Sequence, residues 1–117
     1  DAIAVATPVY FATVPATLKA LYDRCQPYWA RRYVLGEPAP AVYRPGALLL
    51  VGGGGDPFGT SCAVTPTRSV MNVLGVSLDE VIEVIGADAP GDTARFEAKV
   101  TQARECGARL VERARRA

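Results

Sequence analysis

Runs of apolar residues along the chain stop and restart in two different rhythms. Ala2-Ile3-Ala4-Val5-Ala6 and Ala47-Leu48-Leu49-Leu50-Val51 are apolar at every position. An unbroken run of that length suits a strand covered on both faces, as in a parallel sheet, whereas a half-exposed strand alternates. Between them, Val14, Leu18, Leu21, Tyr22 and Cys25 recur at helical spacing, with Thr13 placed to cap and Lys19, Asp23 and Arg24 facing away. Pro27 predicts an end or kink there, and residues 26–45, with Gly36, Pro38 and Pro40, read as an irregular excursion rich in aromatics.

After the second strand a further helix is expected. Either Thr65 caps it and Pro66 takes its first position, which is the preferred reading, or it begins near Ser61 and is distorted. Gly75 is its predicted stop. A third strand lies within Ser77 to Ile85, where Glu80 and Glu83 interrupt Val81, Ile82, Val84 and Ile85 and point to a sheet margin. The last helix begins at Asp92 or Thr93 and carries the stripe Phe96, Val100, Ala103, Gly107, Leu110, Val111 and Ala114. Glu105 with Arg109 and Glu112 with Arg116 form four-residue pairs on its outer face, and its basic end suits the negative end of the helix dipole.

Alternation of strand and helix predicts an α/β fold with a parallel sheet and right-handed crossovers. The first run is expected to be central in that sheet. Because no residue precedes Asp1 to supply its second neighbour, the chain is expected to be the C-terminal part of one larger domain, spanning 1–117; the alternative is that another chain, or an exposed edge, takes the missing position.

Charge and composition narrow the chemistry. Thirteen Lys and Arg against twelve Asp and Glu give a net charge of +1, so no global field points to nucleic acid or an anionic membrane. No run is long enough to span a bilayer, and a cytoplasmic protein is expected. Histidine is absent and the three cysteines, Cys25, Cys62 and Cys106, are far apart. No metal site and no His-assisted nucleophile is written here, so chemistry is expected to belong to a cofactor, with no catalytic side chain.

Two joins carry the candidate site. Thr7-Pro8-Val9-Tyr10-Phe11 ends the first strand and Gly52-Gly53-Gly54-Gly55-Asp56-Pro57-Phe58-Gly59 ends the second. Each alone is commonly a plain turn or connector; together, at equivalent points of successive parallel strands, they favour a ligand at the carboxyl ends of the sheet. Asp56 is expected to accept hydrogen bonds within an Asp-Pro turn. Cys62 is expected to be a buried, inert thiol, and Arg31 and Arg32 to be a solvated pair rather than a phosphate site for NADPH.

The segment Thr7 to Phe11, followed by Val14-Pro15-Ala16 and Leu18-Lys19-Ala20-Leu21-Tyr22-Asp23-Arg24, resembles the flavodoxin-like NAD(P)H-dependent FMN reductases. The resemblance implies a flavodoxin-like three-layer sandwich in which these strands are the third, fourth and fifth of the family's order, the N-terminal strands lying outside these residues. It implies that Thr7, Pro8, Val9, Tyr10, Phe11 and Ala12 line the ring of bound FMN, that Gly52, Gly53, Gly54 and Gly55 approach its polar edge, and that Gly59 turns the chain into the next helix. The family's phosphate-holding first loop has no counterpart here. NAD(P)H is the implied co-substrate, a quinone, free flavin or other small molecule the implied acceptor, and a homodimer or homotetramer the implied assembly. An electron-carrying flavodoxin and a non-enzymatic binding module remain alternatives on the same scaffold.

Overall fold

A computed structural model describes residues 1–116. Its order is β1 (Ile3–Pro8), α1 (Ala16–Asp23), α2 (Gln26–Tyr33), β2 (Arg44–Gly52), α3 (Ser61–Val73), β3 (Val76–Ile85), a short 3-10 turn (Asp92–Arg95) and α4 (Glu97–Arg116). The strands form one parallel sheet in the order β1-β2-β3. The family's α/β, flavodoxin-like arrangement of parallel strands with flanking helices is therefore present.

β2 is the centre. Leu48 and Leu50 point to one face and are fully buried with Val14 and Tyr22, with Ala63 and Met71 of α3, and with Val76 and Leu78 of β3. Ala47 and Leu49 point to the other face and meet Ile82 of β3 and Ala103, Cys106 and Leu110 of α4. Alternate residues of a strand face opposite sides, so an all-apolar strand requires helices on both, and α1 with α3 on one side and α4 on the other meet that requirement. Tyr22 reaches across the first layer: its hydroxyl donates to Thr67 Oγ1 at 2.8 Å, and that hydroxyl donates onward to the Ala63 carbonyl at 2.8 Å. Burial raises the Tyr22 pKa above its ordinary value, and the Thr67 bond opposes that rise.

Among the described residues β1 pairs with β2; Ile3, Val5 and Thr7 turn inward while Ala4, Ala6 and Pro8 are exposed in these residues, which leaves the expected place of β1 beside further strands untouched. β3 lies at a margin of the three strands, as its glutamates indicated: Glu80 accepts two hydrogen bonds from Arg109 at 2.8 and 2.7 Å, and Asp79 pairs with Arg113 at 2.6 Å, tying the exposed edge to α4. Several expectations are corrected. Arg109 is thus held chiefly by Glu80, with Glu105 farther away at 3.7 Å. The excursion after Pro27 begins as a helix, because Pro27 sits in its first turn, where a missing N–H costs nothing. α4 starts at Glu97, after the 3-10 turn that opens at Asp92. On α4, Cys106 and Leu110 are buried while Val111 is exposed. Gly75, at φ +71, follows the C-cap of α3 as expected.

The largest correction concerns Pro66 and Thr13. α3 begins at Ser61, so Pro66 lies inside the helix and Thr65 does not cap it. Proline has no N–H to give the carbonyl four residues earlier, which is that of Cys62. Thr13 Oγ1 donates to this carbonyl at 3.0 Å. Thr13 is therefore not the cap of α1, whose first turn follows Pro15 without a side-chain cap; it repairs the ladder of α3 from the loop after β1. Thr13→Val is expected to destabilise the fold by about 1 kcal/mol. In a Pro66→Ala background, where the substituted residue's own N–H replaces the donor, the same change should be close to neutral. A double-mutant cycle by urea denaturation measures the difference.

Candidate functional site

The carboxyl ends of β1, β2 and β3 open onto a cleft of about 380 Å3, within the range of small-molecule sites. Its wall is made by Val9, Phe11 and Ala12 after β1, by Gly52 to Asp56 with Gly59 and Thr60 after β2, and by Glu83, Ile85 and Asp88 around the end of β3. Of the residues singled out in the sequence, Val9, Phe11, Ala12, Gly52, Gly53, Gly54, Gly55 and Gly59 come together here. Thr7, Pro8 and Tyr10 do not line it: Thr7 is buried beneath, its hydroxyl donating to the Pro8 carbonyl at 3.0 Å, and Tyr10 is exposed.

The reason lies in a tight turn. Tyr10 and Thr13 exchange backbone hydrogen bonds of 2.9 and 3.1 Å, leaving Phe11 (φ 48) and Ala12 (φ 62) at its tip, both left-handed. Two central residues with positive φ are the mark of a type I′ turn, which glycine and asparagine enter far more easily. The turn throws the Phe11 ring to the mouth of the cleft, where it is 98% exposed, and folds Ala12 into the wall at 6%. Strain of this kind, about 1–2 kcal/mol per residue, collects at binding sites.

The glycine loop opposite presents bare backbone. Gly54 and Gly55 have φ of +89 and +79, and among the described residues the N–H groups of Gly53, Gly54 and Gly55 donate to no protein acceptor. The Gly52 carbonyl, by contrast, is occupied by Gly86 N–H at 2.7 Å and Ala87 N–H at 3.1 Å, which pins the loop after β3 against it. A Cβ on Gly53 would stand 2.2 Å from Asp88 Oδ1, so the Asp88 carboxylate rests against the bare Gly53 backbone and would have to swing away from any larger residue there. Asp56 makes the turn expected of it, accepting from Phe58 N–H at 2.8 Å through Oδ1 and from Gly59 N–H at 3.1 Å through its carbonyl.

Sequence reading missed Thr60, Glu83, Ile85 and Asp88. Glu83 was visible only as an interruption of a strand; in the fold it accepts a hydrogen bond from Thr60 Oγ1 at the start of α3. Asp88 lay in the turn before the last helix, with no signal of its own. Asp56, Glu83 and Asp88 make the wall acidic, and no Lys or Arg lines it. These carboxylates form no metal-binding group among the described residues. Asp92 orders the strip that carries Asp88: its carboxylate accepts Asp88 N–H at 3.0 Å and Ala89 N–H at 2.9 Å. Those two backbone bonds, aided by Arg95, hold the Asp92 carboxyl below its ordinary pKa.

Two thiols behave differently from each other. Cys106, on the inner face of α4, is buried, and that burial, with Glu80 beside it, pushes the thiol pKa up. Cys62 is exposed, against the expectation of burial.

A protein-family model, NADPH-dependent FMN reductase, matches residues 1–85, which include both loops and all three strands. The chain belongs to that family. Comparison with curated proteins and with solved structures gave no match. Membership in the FMN reductase family implies flavin and reduced nicotinamide use in general. The cleft fits the flat part of such a cofactor: glycine backbone whose N–H groups have no protein acceptor among the described residues lines one side, and an aromatic ring with an apolar turn lines the other. It does not fit the phosphate, since the lining holds three carboxylates and no cation. No helix among the described residues is long and apolar enough to cross a membrane.

Two outcomes follow from the turn and from Asp92. Phe11→Gly is expected to raise stability by about 1 kcal/mol, because the exposed ring contributes no packing and glycine removes the left-handed strain; urea denaturation reads it. Because the folded pKa of Asp92 is depressed, its contribution to the order of 86–92 is present above the ordinary value of 3.8 and is lost as pH falls through the lower folded value. The amide signals of Asp88 and Ala89 should shift over that acid range in the wild type. In Asp92→Asn, which has no carboxyl to titrate, that transition should be missing.

Proposed function

We propose that the protein is an FMN-dependent oxidoreductase that takes hydride from NAD(P)H and passes electrons to a small acceptor. The observation that carries this reading is the shared cleft. Loops from adjacent parallel strands, one ending in a forced turn with an aromatic tip and one in unpaired glycine backbone, bound a single hollow.

When bound, FMN supplies two-electron redox chemistry, accepting hydride from the nicotinamide and releasing electrons to the acceptor. The chain's own share is binding and orientation. N–H groups of Gly53, Gly54 and Gly55 would donate to ring carbonyls, and Phe11 and Ala12 would cover the ring against water. Val9 and Gly52 form the floor between the strand ends. No side chain is required as an acid or base. The partner for the phosphate has to come from outside the lining residues.

The acidic wall bears on the acceptor. Asp56, Glu83 and Asp88 disfavour a second anion at the cleft, which supports an uncharged acceptor such as a quinone over a phosphorylated one. The chain's overall charge of +1 gives no support to an acidic electron carrier. A homodimer or homotetramer remains the proposed assembly: α2 buries none of its residues, and Tyr28, Trp29 and Tyr33 stand exposed along it.

Titration of FMN into the purified protein is expected to quench flavin fluorescence saturably, and added NADPH should then bleach the oxidised-flavin absorbance. Phe11→Gly should weaken FMN retention about tenfold while leaving the fold at least as stable. Failure to bind FMN at all, or full retention in Phe11→Gly, would overturn the assignment of this cleft.

A further inference from the structure

The opposite end of the sheet holds a second cavity, of about 420 Å3, between α2, the 34–43 segment and the turn joining α3 to β3. Arg31 and Arg32 enter it from α2 and Arg44 from the start of β2, against the single carboxylate of Glu37. Arg44 and Gly52 are the two ends of β2, a nine-residue strand, and so stand roughly 26 Å apart. These arginines are therefore separate from the cleft, and no ligand group seated among the glycines reaches them in the same chain.

Two of the guanidiniums are fixed from behind. Arg32 donates to the Asn72 carbonyl at 2.7 Å and to the Tyr43 hydroxyl, lying over that ring at 5.6 Å from its centroid. Arg44 donates to the Leu74 carbonyl. Asn72 and Leu74 close α3, so a purely structural role, cationic capping of a helix end, accounts for these contacts. It does not exhaust the groups. A guanidinium carries five N–H donors in a planar fork; one bond from Arg44 and two from Arg32 leave the rest of each fork without a protein acceptor among the described residues. Arg31 gives only its Nε to Glu37, at 2.9 Å from each oxygen. Side chains already held in place bind a ligand with less ordering cost.

The remaining wall is largely apolar and open to solvent. Tyr28, Pro38, Pro40 and Val42 line it, and the Pro40 ring occupies the space that a Cβ on Gly75 would need, 2.8 Å away. Three guanidiniums lining one hollow suit the oxygens of a phosphate group, which arginine grips through paired hydrogen bonds. The tyrosine and prolines match a carbon body attached to it. We propose that this cavity binds a phosphorylated small molecule, at a site independent of the flavin cleft.

Phenyl phosphate titrated into the whole chain by calorimetry at low ionic strength is expected to bind saturably, more tightly than inorganic phosphate, and less tightly as salt is added. Arg31→Gln leaves both α3 contacts in place and should weaken binding about tenfold. Glu37→Gln, which frees Arg31 and removes the opposing charge, should tighten it; a merely structural pair would not respond in that direction. Arg115→Gln, on the exposed end of α4, should change nothing. No saturable binding, equal affinity for the two phosphates, or equal losses in Arg31→Gln and Arg115→Gln would each overturn the proposal. So would self-association of the chain that phenyl phosphate disrupts, which would assign the arginines to carboxylates of a second copy.

Discussion

Burial of β2 on both faces is the constraint from which the other features descend. An apolar strand between two neighbours has no solvated side, so it needs a helix layer above and another below. With Leu48 and Leu50 committed to the α1 and α3 layer and Ala47 and Leu49 to α4, the crossover connections have to leave and return on fixed sides. Parallel pairing then brings the ends of all three strands to one margin, and whatever the loops carry meets there.

The two loops at that margin are mechanically joined. Pro66 breaks the hydrogen-bond ladder of α3, and the donor that completes it comes from Thr13, one residue beyond the forced turn that aims Phe11. One proline therefore couples the helix after the glycine loop to the turn after β1. The same loop of β2 is held on its other side by Gly86 and Ala87, whose N–H groups meet the Gly52 carbonyl. The cleft is braced by hydrogen bonds on both flanks, one from a side chain and two from backbone, while its glycine lining keeps donors free.

Charge is divided along the strand direction. Carboxylates of Asp56, Glu83 and Asp88 surround the cleft, whereas Arg31, Arg32 and Arg44 gather at the far end. A net charge of +1 conceals this separation, because the two groups cancel in the sum. A field arranged this way discourages an anion at one end and attracts it at the other, and screening over tens of ångströms keeps the two ends nearly independent.

Unbroken apolar runs and the residues that end them determined the strands, their parallel arrangement and the two loops, because burial on both faces leaves a local mark that needs no partner to be seen. The polyglycine and prolyl-aromatic segments were legible for the same reason: their backbone demands are written in residue type. Only the tertiary structure decided that Thr13 serves α3 rather than α1, that Phe11 rather than Tyr10 faces the cleft, and that Glu83 and Asp88 belong to its wall. Each of those depends on a contact between segments far apart in the chain, or on the hand of a turn, and neither leaves a periodic trace along the sequence.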